Sequence, residues 1–346
     1  NCALRLKEVK PKAKVIILEK GLLPEGASTK NAGFACFGSI SEILDDLKTH
    51  SKEEVVHLIE KRRNGLELLR KSLGDDTIDY QQNKGYELFT EADKDLYEEC
   101  LERIPEINTL LKPVFSKDVF EVAENEFGFK QIQPKLIVNN FEGQIDTGKM
   151  MTALVKKASE KGVRVLNGVK VNSFNESSNG IEIETDQFKL ESKKLIIATN
   201  GFASRLGIPE VKPARAQVLV TKPIKNIPFK GTFHLDKGYY YFRNIGDRVL
   251  FGGGRNLDFK TEETDETGLT DVIQNKLKEL LETCILPETK FEIQQSWSGI
   301  MGVGEQKKPI VKELSKNVYC GVRLGGMGIA IGSLVGKEIA DLALKS

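Results

Sequence analysis

The chain has 346 residues and a formal net charge of +1, with 51 lysines and arginines against 50 aspartates and glutamates. This balance provides no attraction to nucleic acid, and no apolar run reaches the ~20 residues of a membrane span. The five cysteines and three histidines show no metal-ligand spacing. We therefore expect a cytoplasmic protein with room for two domains, no bound metal, no nucleic-acid partner and no integral membrane segment.

The first part of the chain alternates between predicted helix and predicted strand. Residues 1–10 carry apolar side chains at helical spacing, and a short buried strand at 15–18 ends in Glu19. After a loop of small residues, apolar positions three and four apart predict a long amphipathic helical region over 44–73. A further helical segment is predicted over 91–111.

The second half of the chain is rich in predicted strands. Asp146 or Thr147 is a suitable N-cap for a helix, and a strongly apolar strand follows at 195–198. Residues 214–251 predict several strands in succession. The chain ends in a strand, a glycine-rich turn and a helix over about 329–343. Parallel α/β pieces at the start, middle and end, with antiparallel material between them, indicate an α/β protein that crosses between two domains.

Glu19 raises the question of a phosphate-binding loop. In a dinucleotide-binding fold, an acid at the end of the second strand binds ribose, and it falls about 20 residues after a glycine-rich loop. This spacing would place the glycines just before Asn1, so we expect a glycine-rich strand and turn to be encoded upstream. The alternative is that Glu19 is an ordinary surface acid at the end of a strand.

Three further motifs consist mainly of small residues: "GASTKNAGF" at 26–34, "LIIATNG" at 195–201 and "GVRLGGMGIAIG" at 321–332. Small residues let the backbone approach a cofactor closely, hydroxyl groups can donate to phosphate, and a helix start favours nearby negative charge. Taken singly, each motif also has a plain structural interpretation, as a surface loop, a core strand and a glycine-rich helix entry.

The order of these motifs resembles the FAD-dependent oxidoreductases related to D-amino acid oxidase, glycine oxidase and sarcosine oxidase. "ARAQVLV" at 214–220 and "WSGIMG" at 297–302 extend the resemblance over nearly the whole chain. It implies a Rossmann-like FAD-binding domain interleaved with an antiparallel-sheet substrate domain. It also implies FAD as cofactor and a small-molecule amine or amino acid as substrate, oxidised to an imine by hydride transfer to flavin N5 and then hydrolysed.

The resemblance assigns the two domains to separate stretches of the chain. The FAD-binding domain is expected at 1–40, 145–210 and 300–346, and the substrate domain at 41–144 and 211–299.

The resemblance also implies the cofactor contacts. Those near the nucleotide are Glu19, Lys20, Val171, Thr199, Asn200 and Gly201, and those at the pyrophosphate are Ser28 and Thr29. Those lining the isoalloxazine are Asn31, Ala32, Gly33 and Phe34, and those at its pyrimidine edge are Arg323, Leu324, Gly325, Gly326, Met327, Gly328 and Ile329.

One substrate-binding position departs from the family. Where glycine oxidase-like members carry an arginine that pairs with the substrate carboxylate, this chain has Met301. Arg243 and Arg255 are the candidates to replace it, and exposed charges at strand ends are the alternative interpretation of both. Tyr240 is a further candidate for the substrate cavity, since strand alternation sends it to the face opposite its two tyrosine neighbours.

Two alternative functions fit the same sequence. One is a flavin dehydrogenase that acts on a hydroxy acid or uses an acceptor other than oxygen. The other is a flavin-binding subunit without catalysis of its own. No general base is assigned, because the sequence places no obvious carboxylate or histidine at the substrate.

Overall fold

A computed structural model of the protein describes residues 1–178 and 180–345. Its helices are α1 Cys2–Val9, α2 Ala27–Lys30, α3 Ile40–Leu47, α4 Lys52–Leu73, α5 Asp75–Ile78, α6 Lys94–Phe115, α7 Thr147–Glu160, α8 Phe259–Glu262, α9 Asp271–Leu280 and α10 Gly328–Lys345. Its strands are β1 Ile16–Glu19, β2 Phe34–Ala35, β3 Gly85–Leu88, β4 Phe120–Glu124, β5 Lys135–Asn139, β6 Gly143–Gln144, β7 Arg164–Asn167, β8 Val171–Ser177, β9 Gly180–Thr185, β10 Lys189–Ser192, β11 Leu195–Ile197, β12 Lys212–Thr221, β13 Thr232–Leu235, β14 Tyr240–Ile245, β15 Arg248–Gly253, β16 Ile293–Val303, β17 Ile310–Ser315 and β18 Val318–Val322.

The long helical region predicted over 44–73 is two helices, α3 and α4. Ser51 caps the second one: its side chain accepts a hydrogen bond from the backbone N–H of Glu54 at 3.2 Å, and the Glu54 carboxylate accepts one from the N–H of Ser51 at 3.2 Å. This capping box restarts the helix at Lys52, and its Ser-x-x-Glu pattern is visible in the sequence. The predicted helical region is therefore present, with a break between its two helices.

The largest element is an eight-stranded sheet in the order β16-β12-β15-β14-β13-β3-β5-β4. Its pairs are antiparallel except for β13 with β3. Helices α3, α4 and α6 bury their apolar residues in one core with part of this sheet. Helix α9 packs into a second core built on phenylalanines, of which Phe233 and Phe242 stack at 4.6 Å between ring centroids.

Two smaller sheets contain the parallel strands. β1 pairs with β7, and β11 pairs with β18, which also carries antiparallel β17. Ile16 and Ile17 in β1 are 46% and 39% exposed, so the prediction of a buried strand at this position was wrong. The reason is that β7 is the only strand paired with β1 among the described residues. The upstream glycine-rich strand expected from Glu19 remains a prediction.

Helices α4 and α10 meet at backbone distance. A Cβ atom built on Gly65 would lie 2.2 Å from the carbonyl oxygen of Ala330 and 2.9 Å from the Cα of Ile331. Such distances are too short for any side chain, so glycine is required at this crossing. The contact fixes α10, and the turn that precedes it, against α4.

The predicted α/β class and the interleaving of parallel and antiparallel sheets are confirmed. The predicted domain boundaries remain a prediction, although β16 continues past residue 299 into the expected FAD-binding segment. Within residues 1–178 and 180–345, no helix is long and apolar enough to cross a bilayer.

Candidate flavin site

Glu19 ends β1 with its carboxylate held in place. Its Oε1 accepts a hydrogen bond from the N–H of Gly21 at 2.9 Å, and its carbonyl oxygen accepts one from the N–H of Val169 at 2.9 Å. The second bond brings the start of β8, with Val171, beside the end of β1. The side chain of Lys20 is exposed. The structure thus brings together three of the residues expected at the nucleotide.

The expected pyrophosphate residues lie on the short helix α2. Thr29 is half-buried, and its hydroxyl donates to the carbonyl oxygens of Pro24 at 2.7 Å and Gly26 at 3.1 Å. Ser28 is exposed. The proton of the Thr29 hydroxyl is therefore used within the loop, and its oxygen retains acceptor capacity.

The loop from Asn31 to Phe34 is closely pinned. The Asn31 side-chain oxygen accepts hydrogen bonds from the N–H of Gly33 and from the hydroxyl of Thr147, both at 2.9 Å. Gly33 has a φ of +75°, a conformation that favours glycine. Thr147 follows Asp146, which is the N-cap of α7 and accepts from the N–H of Lys149 at 2.8 Å. Of the two predicted caps, Asp146 is confirmed.

Arg243 supports the same loop from the large sheet. It is buried, and its Nε donates to the carbonyl oxygen of Ala32 at 2.5 Å while Nη2 donates to that of Ile145 at 3.1 Å. A Cβ atom on Gly33 would lie 2.6 Å from Nη2. Burial lowers the pKa of Arg243 to about 10. Interpreting Arg243 as an exposed strand-end charge was wrong, because the structure uses it as a clamp on loop carbonyls.

Tyr240 and Tyr241, at the start of β14, point to opposite faces of the large sheet. Tyr240 is buried in the phenylalanine core, 6.2 Å from Phe251 between ring centroids. Tyr241 points to the other face and meets the ring of Phe34 edge-on at 5.5 Å. Thus Tyr241, which was not among the candidates from the sequence, lies at the loop expected to line the isoalloxazine, and the candidate Tyr240 lies in the core.

Arg255 lies apart from these loops. It follows Gly254 in a short 3-10 turn, and its guanidinium lies 4.8 Å from the ring centroid of Phe259. Burial lowers its pKa, while Tyr239 and nearby acids act in the opposite direction. Among the described residues, its aromatic partner is thus on α8 rather than in the loop of Asn31.

A buried ionic cluster adjoins Phe34 and was missed in the sequence. His234 meets the Phe34 ring edge-on at 5.5 Å, and its Nε2 lies 2.9 Å from Oε2 of Glu142. Burial opposes the charge on His234, but the attraction and hydrogen bond of Glu142, together with the attraction of Glu42 and Glu87, outweigh it and raise the pKa of His234 to about 9. Nearby Glu87 accepts hydrogen bonds from Ser39 and Ser41, yet burial raises its pKa to about 7.

Three predicted motifs converge at the start of α10. The side-chain oxygen of Asn200 accepts from the N–H of Leu324 at 3.0 Å, and the carbonyl oxygen of Gly302 accepts from the N–H of Gly325 at 3.0 Å. Met301, beside Gly302 on β16, has its sulfur 3.7 Å from where a Cβ on Gly326 would lie. Thr199 and Gly201, the two other residues expected at the nucleotide from the motif at 195–201, flank Asn200.

A sulfur contact joins the turn before α10 to the loop of Phe34. The Sγ of Cys36 lies 3.6 Å from the Sδ of Met327. Cys36 is buried, and this burial raises the pKa of its thiol. The segments expected at the isoalloxazine and at its pyrimidine edge therefore meet at these two residues.

The described residues fit a flavin. Gly33 and Gly325, with φ of +75° and +60°, leave the backbone bare in the two segments that meet. Gly328 and Ile329 begin the 18-residue helix α10, whose first N–H groups and dipole favour negative charge. Together with the carboxylate of Glu19 at a parallel strand end, these features suit the ribose and the electron-rich edge of FAD.

Comparisons with known proteins identify the family of the chain. The model of a family described as FAD dependent oxidoreductase matches residues 1–342, which confirms the resemblance. A probable oxidoreductase OrdL from Rhizobium meliloti is 25% identical over 212 residues, 58% of this chain and 47% of that protein. A second OrdL, from Haemophilus influenzae, is 21% identical over 351 residues, 96% of this chain and 77% of that protein.

Further matches are a curated dehydrogenase and two solved structures. An aerobic glycerol-3-phosphate dehydrogenase from Staphylococcus saprophyticus is 25% identical over 229 residues, 59% of this chain and 41% of that protein. The chain thus spans less than half the length of two of these curated relatives. Among solved structures, glycine oxidase from Geobacillus kaustophilus superposes with a TM-score of 0.77 at 20% identity, covering 100% of this chain and 92% of that one. L-proline dehydrogenase from P. horikoshii gives 0.76 at 16% identity, covering 99% and 90%.

Proposed function

Because the chain belongs to the family of FAD-dependent oxidoreductases, we propose that it oxidises the C–N bond of a small amine or amino acid to an imine. Bound FAD would supply the hydride acceptor, its N5 atom, and the released imine would hydrolyse in water. The observation that carries this proposal is the meeting of the Phe34 loop and the turn before α10 at Cys36 and Met327. It is supported by the fold shared with glycine oxidase and L-proline dehydrogenase.

The chain's own residues would act by positioning. Arg243 and Thr147 hold the loop of Asn31 and Phe34 by hydrogen bonds, which fixes one wall of the site before substrate arrives. The aromatic rings of Phe34 and Tyr241 present apolar edges there and exclude water. The start of α10 would stabilise negative charge that develops nearby. The substrate amine must be neutral, because its lone pair stabilises the imine.

A second candidate is the oxidation of a C–OH bond. The match to aerobic glycerol-3-phosphate dehydrogenase favours it over half of the chain. Any chemistry in which a hydride leaves carbon would use the same flavin-facing loops, so these loops do not separate the two candidates. The proposal for an amine rests on the structural neighbours and on the sequence order of the motifs.

The test is anaerobic mixing of the FAD-loaded full-length protein with matched panels of amines, amino acids and hydroxy acids. Loss of flavin absorbance with an amine or amino acid supports the proposal. Loss with hydroxy acids alone supports the second candidate. A protein that binds FAD and is reduced by no member of any panel would be a flavin-binding subunit and would contradict both.

Thr147→Val provides a matched probe of the site. It removes the hydrogen bond to Asn31 while it preserves the size of the side chain. We expect weaker FAD binding and slower flavin reduction with an unchanged far-UV circular dichroism spectrum. The control is Thr283→Val, which removes an exposed hydroxyl bonded within its own helical turn. Equal FAD affinities for the two variants would contradict the assigned role of the loop.

A further inference from the structure

Arg62 is a buried cation on helix α4. It is 7% exposed, and its Nη1 donates to the carbonyl oxygen of Phe37 at 2.7 Å. Its Nε is buried and has no hydrogen-bond partner among residues 1–178 and 180–345. Unlike Arg63 beside it, which pairs with Glu67 at 2.9 Å, Arg62 forms no ion pair with a described carboxylate.

Arg323 is a second buried arginine whose donors are only partly used. It is 6% exposed, its Nη2 donates to the carbonyl oxygen of Gly304 at 3.2 Å, and its Nε also lacks a partner in the described part of the chain. Burial and the positive charge of Arg62 lower the pKa of Arg323 to about 10, while Asp46 opposes this effect. The Asp46 carboxylate is itself paired with Lys307. The segments that carry the two arginines pack together through Leu58 and Leu324. Among residues 1–178 and 180–345, neither guanidinium group forms an ion pair with a carboxylate.

Burying two such guanidinium groups without an anion costs free energy. Two like charges repel each other, and each buried N–H group without an acceptor loses its hydration. A carboxylate would satisfy both needs, because planar guanidinium groups bind its two oxygens in parallel. Buried arginines with vacant donors thus indicate recognition of an anion rather than packing.

The position of the pair links it to the flavin site. Arg62 bonds to Phe37, which follows Cys36, and Cys36 contacts Met327. Arg323 begins the turn that contains Met327, with a left-handed φ of +64° that β-carbon sterics disfavour. Strained backbone at a site of convergence is typical of functional residues. The two cations therefore flank the place where both flavin-facing segments meet.

We propose that Arg62 and Arg323 together bind the carboxylate of an amino-acid substrate, in place of the arginine that Met301 replaces. This assignment rests on the proposed function and narrows it: amino acids are preferred to the corresponding amines without a carboxylate. Arg62 comes from a helix outside the motifs, and the sulfur of Met301 lies beside Gly326, in the turn that follows Arg323.

The test uses the FAD-loaded full-length protein and two measurements. The first is the Kd of acetate, followed by the flavin absorption spectrum, with chloride at equal ionic strength as the comparison anion. The second is flavin reduction by each reactive amino acid and by the amine that lacks its carboxylate. The variants are Arg62→Met, Arg62→Lys and Arg323→Met, with Arg63→Met as the control that removes one half-buried charge from the same helix.

We expect Arg62→Met and Arg323→Met to weaken acetate and amino-acid binding by about 10- to 100-fold, the usual value of a charged hydrogen bond. Reduction by the decarboxylated amines should fall less than reduction by the amino acids, Arg62→Lys should lose less than Arg62→Met, and Arg63→Met should match the wild type. If Arg62→Met does not fold, Arg62→Lys and Arg323→Met carry the comparison.

Three results would overturn the assignment. They are equal losses for amino acids and amines, acetate binding no tighter than chloride binding, and lower FAD affinity with unchanged acetate binding, which would assign the pair to the flavin itself. If no amine reduces the wild-type flavin, the proposed function fails, and the acetate titration still decides whether an anion site exists.

Discussion

Replacing Glu142 with glutamine would remove the charge from a buried ion pair while keeping its shape. Glu142 and His234 are in hydrogen-bond contact at 2.9 Å, with side-chain exposures of 1% and 7%. The carboxylate also accepts from the hydroxyl of Thr232 at 3.3 Å. Glutamine can still accept from an imidazole N–H, so the substitution isolates the charge.

The magnitude follows from the pKa of His234, which rises from 6.5 to about 9 in the folded protein. At 1.36 kcal/mol per pKa unit, this shift corresponds to about 3 kcal/mol of stability. Because the folded pKa is the higher one, the stabilisation is fully present below pH 6.5 and is lost as the pH rises through 9. In Glu142→Gln, burial acts on His234 without this counter-charge, so most of the stabilisation should be absent at every pH.

The assay is urea unfolding of the wild type and the variant at several pH values from 6.5 to 9.5. We expect a difference in unfolding free energy of about 3 kcal/mol at the lowest pH, falling towards zero at the highest. His57→Gln is the control, since His57 is exposed beside Glu60. A difference between wild type and Glu142→Gln that stays constant with pH would refute the reasoning, because no titration would then link the two residues.

Three other substitutions test separate features. Arg243→Lys keeps the charge but loses the planar fork, so FAD affinity should fall about tenfold or more in a flavin titration, with the fold intact by circular dichroism. Gly65→Ala should lower the unfolding free energy by about 2 kcal/mol or more, because its Cβ would overlap Ala330, whereas Gly26→Ala meets open space and should change stability little. The wild type should lose stability as the pH rises from 4.5 to 7, because the Glu87 carboxyl group, with its raised pKa, stabilises the fold only while it is protonated. Glu87→Gln should not show this loss. An unchanged FAD affinity of Arg243→Lys would contradict the first expectation. Equal unfolding free energies of Gly65→Ala and Gly26→Ala would contradict the second, and a pH profile of Glu87→Gln equal to that of the wild type would contradict the third.

The parts of the site that could be predicted from sequence are those built from local patterns. The helix entry before α10 and the cap at Asp146 follow from neighbouring residue types, and both appear in the structure. The strand at β1 was also located, but its exposure was not foreseen, because exposure depends on which strands lie beside it. Pairing partners far along the chain are not encoded in a local pattern.

The missed residues show the same limit. His234 and Glu142 are 92 positions apart, so neither reveals the other in the sequence. Arg62, by contrast, carried a usable signal. It lies four positions from Leu58 and from Leu66, on the apolar face of α4 that both leucines bury. An arginine in such a stripe must find a buried partner, and this expectation would have singled it out.

The crossing of α4 and α10 at Gly65 has a consequence for the two buried arginines. Arg62 lies one helical turn before the crossing, and Arg323 lies just before α10 begins. The backbone contact therefore fixes the two segments that carry Arg62 and Arg323 relative to each other. Each guanidinium group is also buried and donates to a carbonyl oxygen, of Phe37 or of Gly304, which restricts how far the two charges can move apart. An anion bound as proposed would relieve the repulsion between the two charges without a large rearrangement, which is the physical meaning of electrostatic preorganisation.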